Sequence, residues 1–299
     1  MTALVSAFAR WYHTIHNVVK VFDDSLAERI LTDNEKQQIA NSMSEGIGFF
    51  NPGFSGDRDE ALRWIVDNQL SPTPLGRAAW AEKVLETAVK NGVTQYIIVA
   101  AGYDTFAYRQ PKWATPLHIF ELDHPGMSKD KQARVEKLLD AKPNNLTYVS
   151  IDLTAESLSE KLSSCIHFNK QRLTFCSLLG ISYYLSQEHF SALLRSIANS
   201  VATGSFIAFD YPDEYTYTNH TGERAQRSTL LAAGAGETML ASYSHSDVVR
   251  LLDGCRFRIH EHLTPDDMTE QYFSGYNAST PDHLMVAFDN VNYCLAEKK

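Results

Sequence analysis

The stretch Gln95–Asp123, QYIIVAAGYDTFAYRQPKWATPLHIFELD, decides the fold of this chain. A buried-strand run, Gln95–Ala101, ends in a turn of small residues around Gly102, and a second apolar run, Leu117–Phe120, leads to two acids. In an α/β sheet such a turn lets a ligand approach the backbone, and an acid ending the next strand reaches ribose hydroxyls. The stretch therefore predicts a nucleotide-type site.

Length and composition limit the class of protein. The chain has 299 residues, 44% of them hydrophobic, enough for one large α/β domain or two small ones. Its formal net charge of -9, with no block of basic residues, argues against a nucleic-acid partner. No apolar run approaches the roughly 20 residues of a membrane span. The four cysteines form no CxxC pair and no signal peptide is evident, so we expect reduced thiols in a cytoplasmic protein.

Strand-like apolar runs alternate with helical patterns along the middle of the chain. The runs are 95–101, 117–122, 146–151, 172–178 and 204–210. Helices are predicted at 76–91, 128–140, 155–163 and 187–202, and before them at 4–22, 25–44 and 59–68, with breaks at Asn51–Gly53 and Ser71–Pro74. Such alternation predicts a mostly parallel sheet covered by helices on both faces.

The pattern changes after Asp210. Residues 211–245 indicate a loop-and-helix insertion, and 246–252 a short helix. Two further strands, Arg256–Leu263 and His283–Asp289, would add an antiparallel edge to the sheet. The predicted domains are an N-terminal helical cap (1–75), a nucleotide-binding core (76–210), a lid insertion (211–245) and a C-terminal helix with edge strands (246–299).

Two candidate features lie in the opening stretch. Gly102 permits close backbone approach, and Asp104 can hold the turn or cap the next helix, although any tight strand–helix turn needs small residues. Glu121 and Asp123 share one face of their strand because side chains alternate. Asp123 is best placed to accept from ribose hydroxyls, with Glu121 supporting the turn. The alternative is that Asp123 caps the helix that starts after His124.

Two more features follow later strands. Asp152 can bind the amino group of an adenine while Leu153 covers the ring; equally, Asp152 could cap a helix starting near Thr154. Gly180 lets the chain turn across a ligand, with Tyr183 and Tyr184 aimed at a reaction site. The alternative for both tyrosines is ordinary core packing.

These segments, taken together, resemble a known family. QYIIVAAGYDTFAYR, FELDHP, SIDL and LLGISYYLS are similar to motifs of the leucine carboxyl methyltransferase family, and more closely to its bacterial branch of S-adenosylmethionine-dependent O-methyltransferases, some linked to polyketide tailoring. ARWYHTIHNVVKVFDDSLAERIL and LGRAAWAEKVLE also look like that branch, so the resemblance covers most of the chain.

The resemblance implies a Rossmann-like α/β methyltransferase sheet and S-adenosylmethionine as cofactor. It places Arg77 on the methionine carboxylate, Ala100, Ala101 and Gly102 along the methionine half, Asp123 on the ribose, and Asp152 with Leu153 on the adenine, while Asp104, Glu121 and Gly180 shape the same site. One departure is Leu179, where the family often has a glutamate before the glycine. The contact of that glutamate is then absent or supplied by another group.

The expected acceptor is a small molecule of polyketide or aromatic acid type. A carboxylate acceptor needs no general base, whereas a hydroxyl usually does. Tyr183 and Tyr184 are predicted to line the transfer site, under a lid formed by 211–245. Further candidates for the acceptor pocket are His220, His245, Tyr211, Tyr215, Tyr217, Arg224, Arg227, Tyr272, Phe273 and Tyr276.

Other classes of protein share parts of this pattern. A nicotinamide oxidoreductase has the same strand–turn–helix–strand–acid unit but usually a fuller GxGxxG. A metal hydrolase is disfavoured because there is no HExxH motif. A methyltransferase-like domain that binds without turnover stays open because of Leu179.

Overall fold

The computed structural model describes residues 2–138, 141–218, 221–234, 236, 239 and 241–299. Within these ranges a seven-stranded sheet has the order β3-β2-β1-β4-β5-β7-β6. The strands are β1 Gln95–Val99, β2 His118–Asp123, β3 Leu146–Ser150, β4 Thr174–Leu178, β5 Phe206–Pro212, β6 Phe257–Leu263 and β7 Val291–Lys298.

The first five strands are parallel and the last edge is antiparallel. Ile97 of β1 lies between Phe120 of β2 and Cys176 of β4 in parallel register. The Lys298 backbone bonds Gly204 and Ser205 at 2.9 and 2.8 Å, so the end of β7 lies beside the start of β5. β7 is therefore antiparallel, and the predicted mostly parallel sheet with an antiparallel edge is confirmed.

Much of the rest of the described chain forms α-helices. They are α1 Thr2–His16, α2 Ala27–Ile30, α3 Asp33–Glu45, α4 Ile47–Phe50, α5 Arg58–Ile65, α6 Pro72–Lys90, α7 Phe106–Arg109, α8 Pro125–Glu136, α9 Leu158–Ser163, α10 Gln187–Ser200, α11 Glu223–Gly234, α12 His245–Gly254, α13 Pro265–Met268 and α14 Ser274–Ser279. Two π-helical segments, Val66–Leu70 and Thr269–Phe273, continue α5 and α13.

The sheet core is apolar on both faces. Every residue of β1 and β4 is buried, which explains why their sequences are near-continuous apolar runs. On one face Phe190 of α10 meets Phe209 of β5 with ring centroids 5.4 Å apart. A fully buried aromatic side chain of this kind contributes about 1.5–3 kcal/mol through burial.

Local capping explains where several helices start. The predicted helix 25–44 is split because Thr32 forms a capping box with Glu35 and starts α3 anew. The predicted break at Ser71–Pro74 is wrong, since α6 begins at Pro72. Prolines fit the first helical turn, where their missing N–H groups have no intrahelical partner. The predicted end of the helix 128–140 falls partly on 139–140, outside the described residues.

The prediction of a strand at His283–Asp289 is also wrong. In this segment exposed and buried side chains alternate over Leu284–Ala287 as in a strand, but Phe288 is buried directly after the buried Ala287. However, its backbone N–H groups donate to side chains: Met285 N to Asn277 Oδ1 at 2.8 Å and Ala287 N to Thr269 Oγ1 at 2.9 Å. The edge strand is β7 instead, starting one residue after Asn290, which has a φ of 65°.

The chain divides into two compact units. The first contains 1–80, 215–239 and 263–291; the second, called the sheet unit, contains 81–214, 240–262 and 292–299. Within the described residues no helix is long and apolar enough to cross a membrane. All four cysteines are free thiols.

Candidate cofactor-binding site

The Gly102 turn is anchored by the acid predicted to bind ribose. Gly102, with a φ of 48°, donates its N–H to Asp123 Oδ2 at 2.6 Å. The other oxygen, Oδ1, accepts the N–H of His124 at 2.7 Å. The alternative of Asp123 as a helix cap is wrong, because the His124 side chain caps α8 and Pro125 begins it. Asp123 instead ties β1 to β2 where a ligand would lie.

A second glycine turn is anchored by an aspartate in the same way. Gly180, with a φ of 69°, donates its N–H to Asp210 Oδ1 at 2.6 Å. The hydroxyl of Tyr183 donates to Asp210 Oδ2 at 2.9 Å, and Ser182 Oγ donates to the Asp210 carbonyl at 2.6 Å. Asp210 is fully buried near the end of β5. The Tyr183 hydroxyl thus holds the turn, whatever its ring contributes to a transfer site.

The two turns lie side by side. They follow β1 and β4, which are neighbours in the sheet, and their acids come from the flanking strands β2 and β5. Strand order reverses between β1 and β4, and open α/β sheets bind ligands at such a switch point, outside the strand C-termini. Gly102 and Gly180 have no Cβ, so a ligand can approach both backbones closely.

The backbone between β1 and Gly102 is strained. Ala100 has a φ of 53°, in the left-handed region that costs a residue with a Cβ about 1–2 kcal/mol. Asp104 holds this turn: its N–H donates to Ala101 O at 2.9 Å, and its Oδ1 accepts from Phe106 N at 2.7 Å. It is not the N-cap of α7, because that position is Thr105. The neighbouring contacts therefore fix an unfavourable conformation, which is common at functional sites.

Arg109 of the AGxDTxxxR motif has a structural role. Its Nε donates to Thr105 Oγ1 at 2.8 Å, and its Nη1 to Glu82 Oε2 at 3.2 Å. These bonds join the turn after β1 to α6.

Glu121 is a buried residue of β2, two positions before Asp123. Its side chain is 2% exposed and forms an ion pair with Lys131 of α8 at 2.8 Å, while Tyr108 donates to it at 3.2 Å. Burial raises the pKa of this carboxyl, and Lys131 opposes the rise. The turn itself is held by Asp123, so the structure gives Glu121 the role of joining β2 to α8.

Asp152 and Leu153 follow β3 in a turn. Asp152 Oδ1 accepts from Thr154 N at 2.9 Å and from Thr154 Oγ1 at 2.6 Å, bonds that lower the pKa of the exposed carboxyl. It caps no helix, since α9 begins at Leu158 and is capped by Ser157. Both side chains are partly exposed, and their adenine contacts stay a prediction.

Three other predicted residues are half-buried. Arg77 is a half-buried residue of α6 in the part of the chain that belongs to the first unit. Leu179 and Tyr184 are half-buried on either side of the Gly180 turn, and the Tyr184 ring lies 6.2 Å from that of Tyr183. Their roles toward cofactor and acceptor stay predictions.

The candidate residues for the acceptor pocket belong to both compact units of the chain. In the first unit Arg224 donates to the carbonyls of Asn68, Val286 and Ala287. There, too, Arg227 donates to Phe50 O at 2.5 Å. Both arginines therefore hold backbone. His220 lies outside the described residues.

In the sheet unit the Tyr211 hydroxyl lies 2.8 Å from His262 Nε2, and the His262 ring contacts that of His245. Among the described residues no group of three or more His, Cys, Asp or Glu side chains could hold a metal ion.

Sequence reasoning missed Asp210. The signal was present, because an acid at the C-terminal end of the run 204–210 matches the position of Asp123 on its own strand. What the sequence did not show is that β5 is the neighbour of β4, which brings Asp210 to Gly180.

The residues present fit S-adenosylmethionine. After accepting two backbone N–H groups, the half-exposed Asp123 carboxylate still has about two of its roughly four acceptor positions for a ribose diol. A donor-rich ribose suits this acceptor better than a phosphate, which would repel it.

Comparison with known proteins shows the family of this chain. The family model described as leucine carboxyl methyltransferase matches residues 3–198. The Bacillus subtilis (strain 168) protein named "Putative S-adenosyl-L-methionine-dependent methyltransferase YktD" is 36% identical over 307 residues, covering 100% of this chain and 98% of YktD. A Mycobacterium avium (strain 104) protein of the same description is 30% identical over 288 residues, with coverages of 91% and 92%.

A solved structure shows the same fold. The DUF574 family protein from Streptomyces avermitilis MA-4680 matches with a TM-score of 0.60 at 12% identity, covering 100% of this chain and 97% of that one. The chain therefore belongs to the leucine carboxyl methyltransferase family and is, by family and fold, an S-adenosylmethionine-dependent methyltransferase. This finding does not support the nicotinamide oxidoreductase alternative.

Proposed function

We propose that this protein transfers the methyl group of S-adenosylmethionine to an oxygen atom of a small aromatic or polyketide-type acceptor. The observation that supports it most is the pair of glycine turns at the switch point, each anchored by an acid of the flanking strand. The net charge of -9 also favours a small-molecule acceptor over nucleic acid.

The protein's part in such a reaction is mainly positioning. The cofactor supplies an electrophilic methyl group on a sulfonium. An acceptor oxygen forms the new C–O bond while the C–S bond breaks and its electron pair passes to sulfur. Asp123 would hold the ribose, and the two glycine turns would let the cofactor lie against backbone. Orientation of reactants in this way can supply several kcal/mol of the barrier.

One further role belongs to this proposal. The ring of Tyr184 would line the transfer site. The protein would act in the cytoplasm without a membrane partner.

Calorimetric titration with S-adenosylmethionine and S-adenosylhomocysteine tests the cofactor site. We expect micromolar binding to the wild type and about a hundredfold weaker binding to Asp123→Ala, which loses charged hydrogen bonds to the ribose and the anchor of Gly102. Asp123→Asn keeps an acceptor for Gly102 N–H and should lose only about tenfold. Unchanged affinity in both variants would remove the assignment.

Turnover is tested by S-adenosylhomocysteine release with a panel of hydroxyl and carboxyl acceptors. Release with any oxygen acceptor supports the proposal. Tight cofactor binding without release across the panel would favour the domain that binds without turnover.

A further inference from the structure

The sheet unit contains a buried polar network, here called the Glu121 network: Glu121, Lys131, Tyr108 and Tyr148. Lys131 Nζ forms an ion pair with Glu121 Oε1 at 2.8 Å, and both residues are 2% exposed. The Tyr108 hydroxyl donates to Glu121 Oε2 at 3.2 Å and lies 3.0 Å from the Tyr148 hydroxyl. Because a hydroxyl has one proton and that of Tyr108 goes to Glu121, Tyr148 is the donor to Tyr108.

One half of the network joins the strand and the helix on either side of Asp123. Glu121 belongs to β2 and lies two residues before Asp123, while Lys131 belongs to α8, which begins at Pro125. Between them, the His124 N–H donates to Asp123 Oδ1 at 2.7 Å. The Glu121–Lys131 pair therefore fixes α8 against β2, and with it the peptide group that orients the Asp123 carboxylate.

The other half of the network extends to the elements beside this strand. Tyr108 belongs to α7, which follows the Gly102 turn, and its ring centroid lies 5.5 Å from Lys131 Nζ. Tyr148 is the register partner of Glu121 on β3, the strand that leads to Asp152. One buried carboxylate thus connects four elements that carry or flank the predicted contacts with the cofactor.

Stability is a weak reason for such an ion pair. Removing two charges from water is costly, and replacing a buried pair by apolar residues of similar size often leaves stability unchanged or raises it. Hydrogen bonds, in contrast, depend steeply on distance and direction. A fully connected polar network therefore holds its elements in one arrangement more narrowly than apolar packing does.

We propose that Lys131 and Tyr108 are positioning residues of this methyltransferase: through Glu121 they set the place of Asp123, where the ribose of the cofactor would bind. This inference rests on the cofactor site of the proposed function. It separates affinity from stability, because an apolar replacement of the pair keeps the packing and loses the alignment.

The test uses the full-length protein and the double variant Glu121→Leu/Lys131→Met, alone and combined with Asp123→Asn. The matched control is Gln95→Leu/Thr174→Val. Gln95 Nε2 donates to Thr174 Oγ1 at 2.9 Å, and both side chains are fully buried in the same sheet, at the first residues of β1 and β4 and so at the opposite ends of the strands. Calorimetry measures affinity for S-adenosylhomocysteine, and urea unfolding measures stability.

We expect Glu121→Leu/Lys131→Met to keep the unfolding midpoint of the wild type and to bind S-adenosylhomocysteine about tenfold more weakly. Combined with Asp123→Asn, which alone loses about tenfold, it should lose little more, because both changes act on one contact. The control should lower the unfolding midpoint and leave the affinity unchanged.

Four results would overturn the inference: unchanged affinity in the double variant, losses that multiply with Asp123→Asn to about a hundredfold, an equal loss of affinity in the control, or an unfolding midpoint as low as that of the control. If the double variant does not fold, Tyr108→Phe decides. It keeps the ring and removes the donor to Glu121, so affinity should fall about threefold, and an unchanged affinity would also overturn the inference. A wild type that does not bind S-adenosylhomocysteine would instead remove the proposed function.

Discussion

Asp210 is expected to hold the Gly180 turn, and replacing it tests this directly. The fully buried carboxylate accepts from Gly180 N at 2.6 Å and from the Tyr183 hydroxyl at 2.9 Å. Asp210→Ala removes the acceptor of both hydrogen bonds. At about 1.5–3 kcal/mol for each hydrogen bond to a charged group, the free energy of unfolding should fall by about 3–6 kcal/mol.

Asp210→Asn is the matched control. Its Oδ1 can still accept from Gly180 N, and its amide can donate to Tyr183 if that hydroxyl rotates, so we expect a loss of only about 1–2 kcal/mol. Tyr183→Phe should cost about 1–3 kcal/mol in the wild type and almost nothing in Asp210→Ala, because the two residues share one bond.

Urea unfolding followed by circular dichroism measures these free energies, and titration with S-adenosylhomocysteine reports on the turn. We expect the affinity of Asp210→Ala to fall about tenfold or more while Asp210→Asn stays close to the wild type. Equal costs for Ala and Asn, or additive effects of Asp210→Ala and Tyr183→Phe, would refute this account of the turn.

Two further predictions concern backbone strain and acid stability. Because Ala100 has a φ of 53°, Ala100→Gly should leave the free energy of unfolding unchanged or raise it by up to about 1 kcal/mol. The control Ala101→Gly should lower it by about 1 kcal/mol. Equal destabilisation of the two variants in a urea titration would contradict this prediction. Burial lowers the pKa of His13 from 6.5 to about 4, so its neutral form stabilises the fold fully above pH 6.5 and loses about 2–3 kcal/mol as the pH falls toward 4. His13→Phe should remove that part of the acid sensitivity, and an unchanged pH profile would count against it.

The failed strand at His283–Asp289 shows the limit of periodicity. Exposed and buried side chains alternate only over Leu284–Ala287, and the backbone N–H groups of Met285 and Ala287 donate to the side chains of Asn277 and Thr269. Which group accepts a hydrogen bond from a given backbone N–H depends on tertiary contacts, and the local sequence pattern does not show it.

By itself the sequence determined what depends on neighbours along the chain: the apolar strand runs, the glycine turn at Gly102 and the acid at Asp123, because burial and backbone conformation follow local residue type. Only the tertiary structure decided that β5 lies beside β4, which brings Asp210 to Gly180. It also decided that Arg63 donates to the hydroxyl of Tyr276, and that Oδ1 of Asp67 accepts no hydrogen bond within the described residues. These contacts join residues far apart in sequence, and their geometry is set by the packing of whole elements rather than by any single segment.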